Sequence, residues 1–136
     1  MEGGIPFNKV LGVEATLLEE GRARLEIPFR QELIGNPMRP ALHGGVISAL
    51  IDACGGCAVF TMIDPPETVT TIDLRVDYLR PGEPKRLICD ATVVRMGNRV
   101  ASVDMRVYQT VEQELIATGK GVYDVRRVKP KAASEG

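Results

Sequence analysis

The chain has 136 residues, 44% of them apolar and 26% charged, and a formal net charge of −1 at pH 7. That length suits one domain with a real core and is short for two. Near-neutral charge excludes the basic footprint of a nucleic-acid binder or of a protein held on an anionic membrane surface.

In chain order, a proline-initiated segment, Pro6 to Leu11, has the pattern of one or two helical turns. Two strand-like runs follow, about Val13 to Leu18 and Arg22 to Pro28, turning at Glu19, Glu20 and Gly21. The segment Arg30 to Leu42 carries Gly35, Pro37 and Pro40, which predicts loop. From Gly44 to about Phe60 the residues are apolar enough for a helix buried almost all round. A membrane span is the competing reading of Gly44 to Ile63, and the central Asp52, the glycines and the lack of basic flanks argue against it.

Beyond Pro65 and Pro66 the period changes to two. Ile72, Leu74, Val76 and Tyr78 alternate with Asp73, Arg75 and Asp77, which predicts a strand with one wet face. Further strands are predicted at Arg86 to Arg95, Arg99 to Thr110 and Glu114 to Val125, with turns at 96–98 and 111–113. Links that short make successive strands antiparallel neighbours. Residues 1–128 are one domain in this reading, and 129–136 a disordered tail. One apolar helix and a large antiparallel sheet imply an α+β fold in which the sheet wraps the helix. The sheet offers more apolar surface than one helix covers, so self-association is expected.

The helix has an unusual face. Gly45, Ser48, Asp52 and Gly55 or Gly56 stack at spacings of three and four. Glycines at 55 and 56 each cost about 1 kcal/mol relative to alanine inside a helix, so something must approach closely there. Either the glycines serve tight packing, with Asp52 a hydrogen-bonded structural acid, or the face is the floor of a substrate channel with Asp52 doing chemistry at its end. His43, Gly44 and Gly45 open the helix, where unpaired N–H groups and the positive end of the dipole suit an oxyanion. A donor site and a carboxylate are the two halves of an acyl-transfer hydrolase. His43, the only histidine in the chain, has two readings, a loop-shaping hydrogen bond or an acid–base role. Cys54 and Cys57 form a CxxC, yet with Cys89 alone elsewhere they lack a second ligand pair for zinc. With no secretory leader read ahead of them, all three are expected to be reduced, packed thiols in a cytoplasmic protein.

His43-Gly44-Gly45, then six residues, then Asp52, followed by the runs TTIDLRVDYLRP and RMGNRVASVDMRVY, resembles the hotdog-fold acyl-CoA thioesterases of the PaaI type. The likeness covers about Pro6 to Val125. It implies a homodimer, often paired into a tetramer, that hydrolyses acyl-CoA thioesters with no metal and no cofactor beyond the coenzyme A of its substrate. Carried over by position, the catalytic acid is Asp52, the carbonyl-polarising N–H is Gly44, and the hydroxyl that helps place the water is Thr71, with Thr70 its neighbour. The family's loop asparagine corresponds to Asn36, in a loop one residue longer than the family spacing. The coenzyme would meet Arg80 and the turn with Gly97, Asn98 and Arg99, where arginines suit phosphates. Solvated turn charge is the plain alternative for each arginine. Two other functions fit the same resemblance. A hotdog dehydratase or hydratase would need a His–carboxylate pair at one carbon skeleton, and a non-catalytic acyl-CoA binder would use the same channel without Asp52 chemistry.

Overall fold

Pro6 supplies a fixed φ at the start of α1 (Pro6–Leu11), and Gly12 ends it with φ +76°, a left-handed cap that opposes no Cβ. Strands β1 (Glu14–Glu19) and β2 (Arg22–Ile27) form a hairpin whose turn passes through Gly21 at φ +77°. The computed structural model describes residues 5–110 and 114–127. The turn expected at 111–113 and the tail expected at 129–136 lie outside the described residues.

The segment expected to be loop carries more order than its prolines suggest. Gln31–Leu33 makes a 3-10 turn, and β3 (Ile34–Asn36) pairs with β4 (Ala41–Leu42). Two buried leucines cause this. Leu33 and Leu42 are anchored in the core, the Leu33 carbonyl accepts from the His43 N–H at 2.9 Å, and the Gly82 carbonyl accepts from the Leu42 N–H at 2.9 Å.

Helix α2 runs from Gly44 to Phe60 as predicted. Its Leu50, Ile51, Cys54, Ala58 and Val59 have no exposed surface. Full burial of each large aliphatic side chain contributes about 1.5–3 kcal/mol. The remaining strands are β5 (Thr68–Tyr78), β6 (Leu87–Met96), β7 (Val100–Tyr108) and β8 (Ala117–Arg126), in a six-stranded sheet ordered β1-β2-β6-β7-β8-β5. All six strands touch α2. The sheet is antiparallel throughout, with the expected β6–β7 and β7–β8 neighbours. Strand β5 lies beyond β8 rather than beside β6, because residues 79–86 carry the chain across the sheet.

The expected alternation of β5 holds only in part. A bulge between Thr71 and Asp73 sets Thr71 opposite Tyr123 and Asp73 opposite Val122. Ile72 is displaced by the extra residue and is 57% exposed. The parity of the strand therefore changes at this point. Thr71 above the bulge and Tyr78 below it, seven positions apart, would face opposite sides of a regular strand. Both reach α2, and the site depends on that.

The three cysteines are free and buried. The Cys54 thiol donates to the Cys89 carbonyl at 3.2 Å, and burial, followed by the Cys54 contact, pushes the Cys89 thiol well above the ordinary range. Among the described residues no helix is long and apolar enough to cross a membrane.

Candidate active site

The start of α2 is built around one imidazole. His43 is the N-cap, and its Nδ1 accepts from the Gly45 N–H at 2.8 Å. An accepting Nδ1 leaves the ring proton on Nε2. The loop-shaping reading of His43 is the one the geometry carries. Gly45, expected as a second donor, has its N–H committed to this cap. Gly44, the first helical residue, has an N–H with no acceptor inside the helix. A cavity of about 410 Å³ opens beside it, lined by Tyr78, Leu79, Arg80 and Gly82. The Tyr78 hydroxyl donates to the Gly44 carbonyl at 3.1 Å, which steadies this turn from β5. Arg80 lines the same cavity and is ion-paired with Glu114.

Two turns along α2, the half-buried Asp52 accepts from the Thr71 hydroxyl at 2.8 Å through Oδ1. Thr70 is not among the residues lining the cavity at Asp52. Tyr123 of β8 donates to the Asp52 backbone carbonyl at 3.0 Å, with Oδ1 farther off at 3.4 Å. Burial, then the Asp52 charge and hydrogen bond, holds the Tyr123 phenol far above its ordinary range, so it stays protonated and donating.

Tyr123 also accounts for one of the paired glycines. A Cβ on Gly55 would overlap the Tyr123 hydroxyl and lie 3.1 Å from the Met105 sulfur. A Cβ on Gly56 would meet only the Tyr123 ring, at 3.8 Å. Gly55 thus serves tight packing, and Gly56 lines the floor of a cavity. That cavity, about 260 Å³, lies over Asp52 and Thr71 and is walled by Ile5, Phe7, Ala49, Ala53 and Val69. The small face thus serves tight packing at Gly55 and borders open space at Gly56. The arrangement places a braced carboxylate against apolar space, able to take a proton from a water. The Asp52 cavity and the Gly44 cavity share no lining residue.

Asn36 is not part of either cavity. Its Oδ1 accepts from the N–H groups of Met38 and Arg39 at 3.0 and 3.4 Å, so its side chain shapes its own turn. The turn with Gly97, Asn98 and Arg99 borders a separate groove of about 420 Å³ together with Arg95 and Ser102. Arg127 clamps that turn, donating to the carbonyls of Asn98 and Gly97 at 2.8 and 3.1 Å. Among the described residues no acidic group pairs with Arg95 or Arg99.

Sequence reasoning missed Tyr123, Tyr78, Asn8 and Arg127. For Tyr123 a signal was present. Gly119 and Gly121 precede it on the same strand face, and a Cβ at these positions would come within 2.6 Å of Ile51 and of the Tyr123 ring. Two glycines leading to a tyrosine at period two mark where helix and ring approach the sheet.

The sequence model of the thioesterase superfamily matches residues 40–116, which contain the cap, Asp52 and Thr71. The chain belongs to this superfamily. Its relatives include the medium/long-chain acyl-CoA thioesterase YigI of Escherichia coli, 34% identical over 89% of this chain and 86% of that protein. A putative esterase of Halobacterium salinarum is 38% identical over 86% of this chain and 82% of its own length. Among solved structures, a thioesterase-superfamily protein at 35% identity superposes with a TM-score of 0.84, covering 91% of this chain and 92% of its own. A thioesterase family protein from Silicibacter pomeroyi, 26% identical, gives 0.84 over 93% of both chains. The sheet wrapped on α2 is the hotdog fold of these thioesterases, and the chain is a thioester hydrolase.

Proposed function

We propose that this superfamily member hydrolyses medium- and long-chain aliphatic acyl-CoA thioesters, in the manner of the PaaI type, with Asp52 as general base. The observation that carries the reading is the Asp52 carboxylate, braced by Thr71 at 2.8 Å, facing an apolar cavity. A water gives its proton to Asp52 while its oxygen attacks the thioester carbonyl carbon. The carbonyl π pair moves onto oxygen, where a Gly44 N–H receives it. Collapse breaks the C–S bond, and the departing sulfur takes the proton from Asp52, leaving a carboxylic acid and free coenzyme A. The chain length of the acyl group follows the name of the Escherichia coli relative and suits the apolar walls at Ile5, Phe7 and Val69.

The working unit is a homodimer with sites shared between chains. Gly44 and Asp52 are eight residues apart on one helix, about 12 Å along its axis. Attack needs reacting atoms within about 3.5 Å. Two α2 helices antiparallel about a two-fold axis put Gly44 of one chain near Asp52 of the other, twice. Support comes from β5, an 11-residue edge strand with no partner on its outer side among the described residues and with Ile72 exposed. Arg95 and Arg99, which have no acidic partner among the described residues, meet the phosphates of the coenzyme in this reading. Three buried, unoxidised thiols support a cytoplasmic setting.

The test is release of free thiol from a panel of acyl-CoAs by the wild type and by Asp52→Asn. Turnover of aliphatic esters that falls at least about 100-fold in the variant is expected. No hydrolysis of any ester, or an Asn variant near wild type, refutes the assignment.

A further inference from the structure

Helix α1 places one polar side chain against the Asp52 cavity. Asn8 is only 5% exposed, and its Nδ2 has no hydrogen-bond partner among the described residues. The backbone of Asn8 is fully committed, its N–H to the Ile5 carbonyl at 3.0 Å and its carbonyl to the Val13 N–H at 3.0 Å. The turn is thus held, and the amide alone is left over. A buried donor with no acceptor costs about 1–3 kcal/mol, and folded proteins rarely keep one.

The same cavity is lined by the complementary group. Both the Thr71 and the Tyr123 hydroxyl are directed to Oδ1 or to the backbone carbonyl of Asp52, and no described residue donates to Oδ2. Apart from these four residues the lining is apolar. The side chain that carries the unmatched donor and the side chain that carries the unmatched acceptor therefore line one cavity of about 260 Å³, which has room for ordered water.

We propose that Asn8 positions the attacking water, its amide donating to the water oxygen while the water donates a proton to Asp52 Oδ2. In that pose one proton already points at the base and a lone pair remains for the carbonyl carbon. The proton then moves to Oδ2 as the O–C bond forms, and the later steps are those given above. Asn8 is a positioning residue in this scheme, and its role in turnover rests on the thioesterase reading. Its apparent misplacement in a buried apolar setting is a stability cost retained for function.

Two experiments test it. In Asn8→Leu, which removes the amide at similar size, kcat should fall about tenfold with KM within about twofold, the pattern of an interaction made on the way to the transition state. The loss should be equal for straight-chain and 3-hydroxyacyl esters of one length, and Tm should change little because leucine fills a similar volume and the amide's partner is a water rather than another part of the fold. Unchanged kcat, a change in KM alone, or a loss confined to the hydroxyacyl ester overturns the role, the last by moving the amide to an oxygen of the acyl group. Independently, a crystal structure of the wild type should show an ordered water within about 3.2 Å of both Asn8 Nδ2 and Asp52 Oδ2. Absence of that water overturns the proposal whatever the kinetics. A wild type that hydrolyses no thioester, yet holds the water, refutes the proposed function and leaves the water site standing.

Discussion

The proposed two-chain site makes a quantitative prediction for mixed dimers. The donor half is removed by Gly44→Pro, a substitution the local geometry accepts. Gly44 is the first residue of α2, where proline is favoured and its missing N–H breaks no helical bond. His43 before it has φ −62° and ψ 134°, the extended conformation that a following proline requires. A Cβ at position 44 meets Tyr78 at 3.6 Å, an ordinary contact. Loss of one oxyanion donor costs about 100- to 1,000-fold in kcat. The base half is removed by Asp52→Asn, which keeps an acceptor for Thr71 and costs at least about 100-fold. A hybrid of the two chains holds one site with both groups intact and one site lacking both. Its turnover should be about half that of the wild-type dimer, at least tens of times either parent. Hybrids isolated through two different affinity tags, checked for mass and for folding by circular dichroism, are assayed against both parents. Correctly assembled hybrids no more active than the parents refute the two-chain site.

The paired glycines should respond in opposite directions. Gly55→Ala forces Tyr123 aside and should destabilise by about 1–3 kcal/mol in denaturant unfolding, whereas Gly56→Ala should stabilise by up to about 1 kcal/mol while slowing turnover of the longest acyl chains. His43→Ala removes the cap and should cost about 1 kcal/mol of stability, with a far smaller effect on kcat than Asp52→Asn; a comparable kcat loss would restore an acid–base role to the imidazole. Tyr108 donates to Asp90 at 2.8 Å, and burial, then that bond, pushes its phenol up to about 12 from 10.0. The unfolded phenol loses its proton first, so this contribution is present below pH 10 and is lost as pH rises toward 12. Tyr108→Phe should accordingly flatten the fall of stability across that window in pH-dependent urea melts. Arg99→Ala should raise KM for an acyl-CoA more than for a truncated thioester, and equal effects on both would make Arg99 surface charge only.

The sequence by itself determined what depends on neighbouring residues. The apolar run Gly44 to Phe60, interrupted by Asp52 and glycines, favoured a buried helix over a membrane span, period two marked the later strands, and stacking at three and four put Asp52 on a small-residue face. His43, Gly44 and Gly45 before that run marked a helix start with spare donors. These features are local because helix and strand periodicity, caps and turns are written within a few residues. Tertiary structure decided everything that depends on register between distant segments. The bulge at Ile72 brings Thr71 and Tyr78 to one side of β5, although their spacing in the sequence places them on opposite sides. Pairing of β8 beside β5 lays Tyr123 over Gly55 and onto Asp52, a contact across 71 positions. Arg80 looked available in the sequence, and only folding commits it to Glu114. Asn8 is the sharpest case. Nothing in Pro6 to Leu11 distinguishes its amide from that of a surface asparagine, and its meaning arises only when folding buries that one donor among the residues that line the Asp52 cavity.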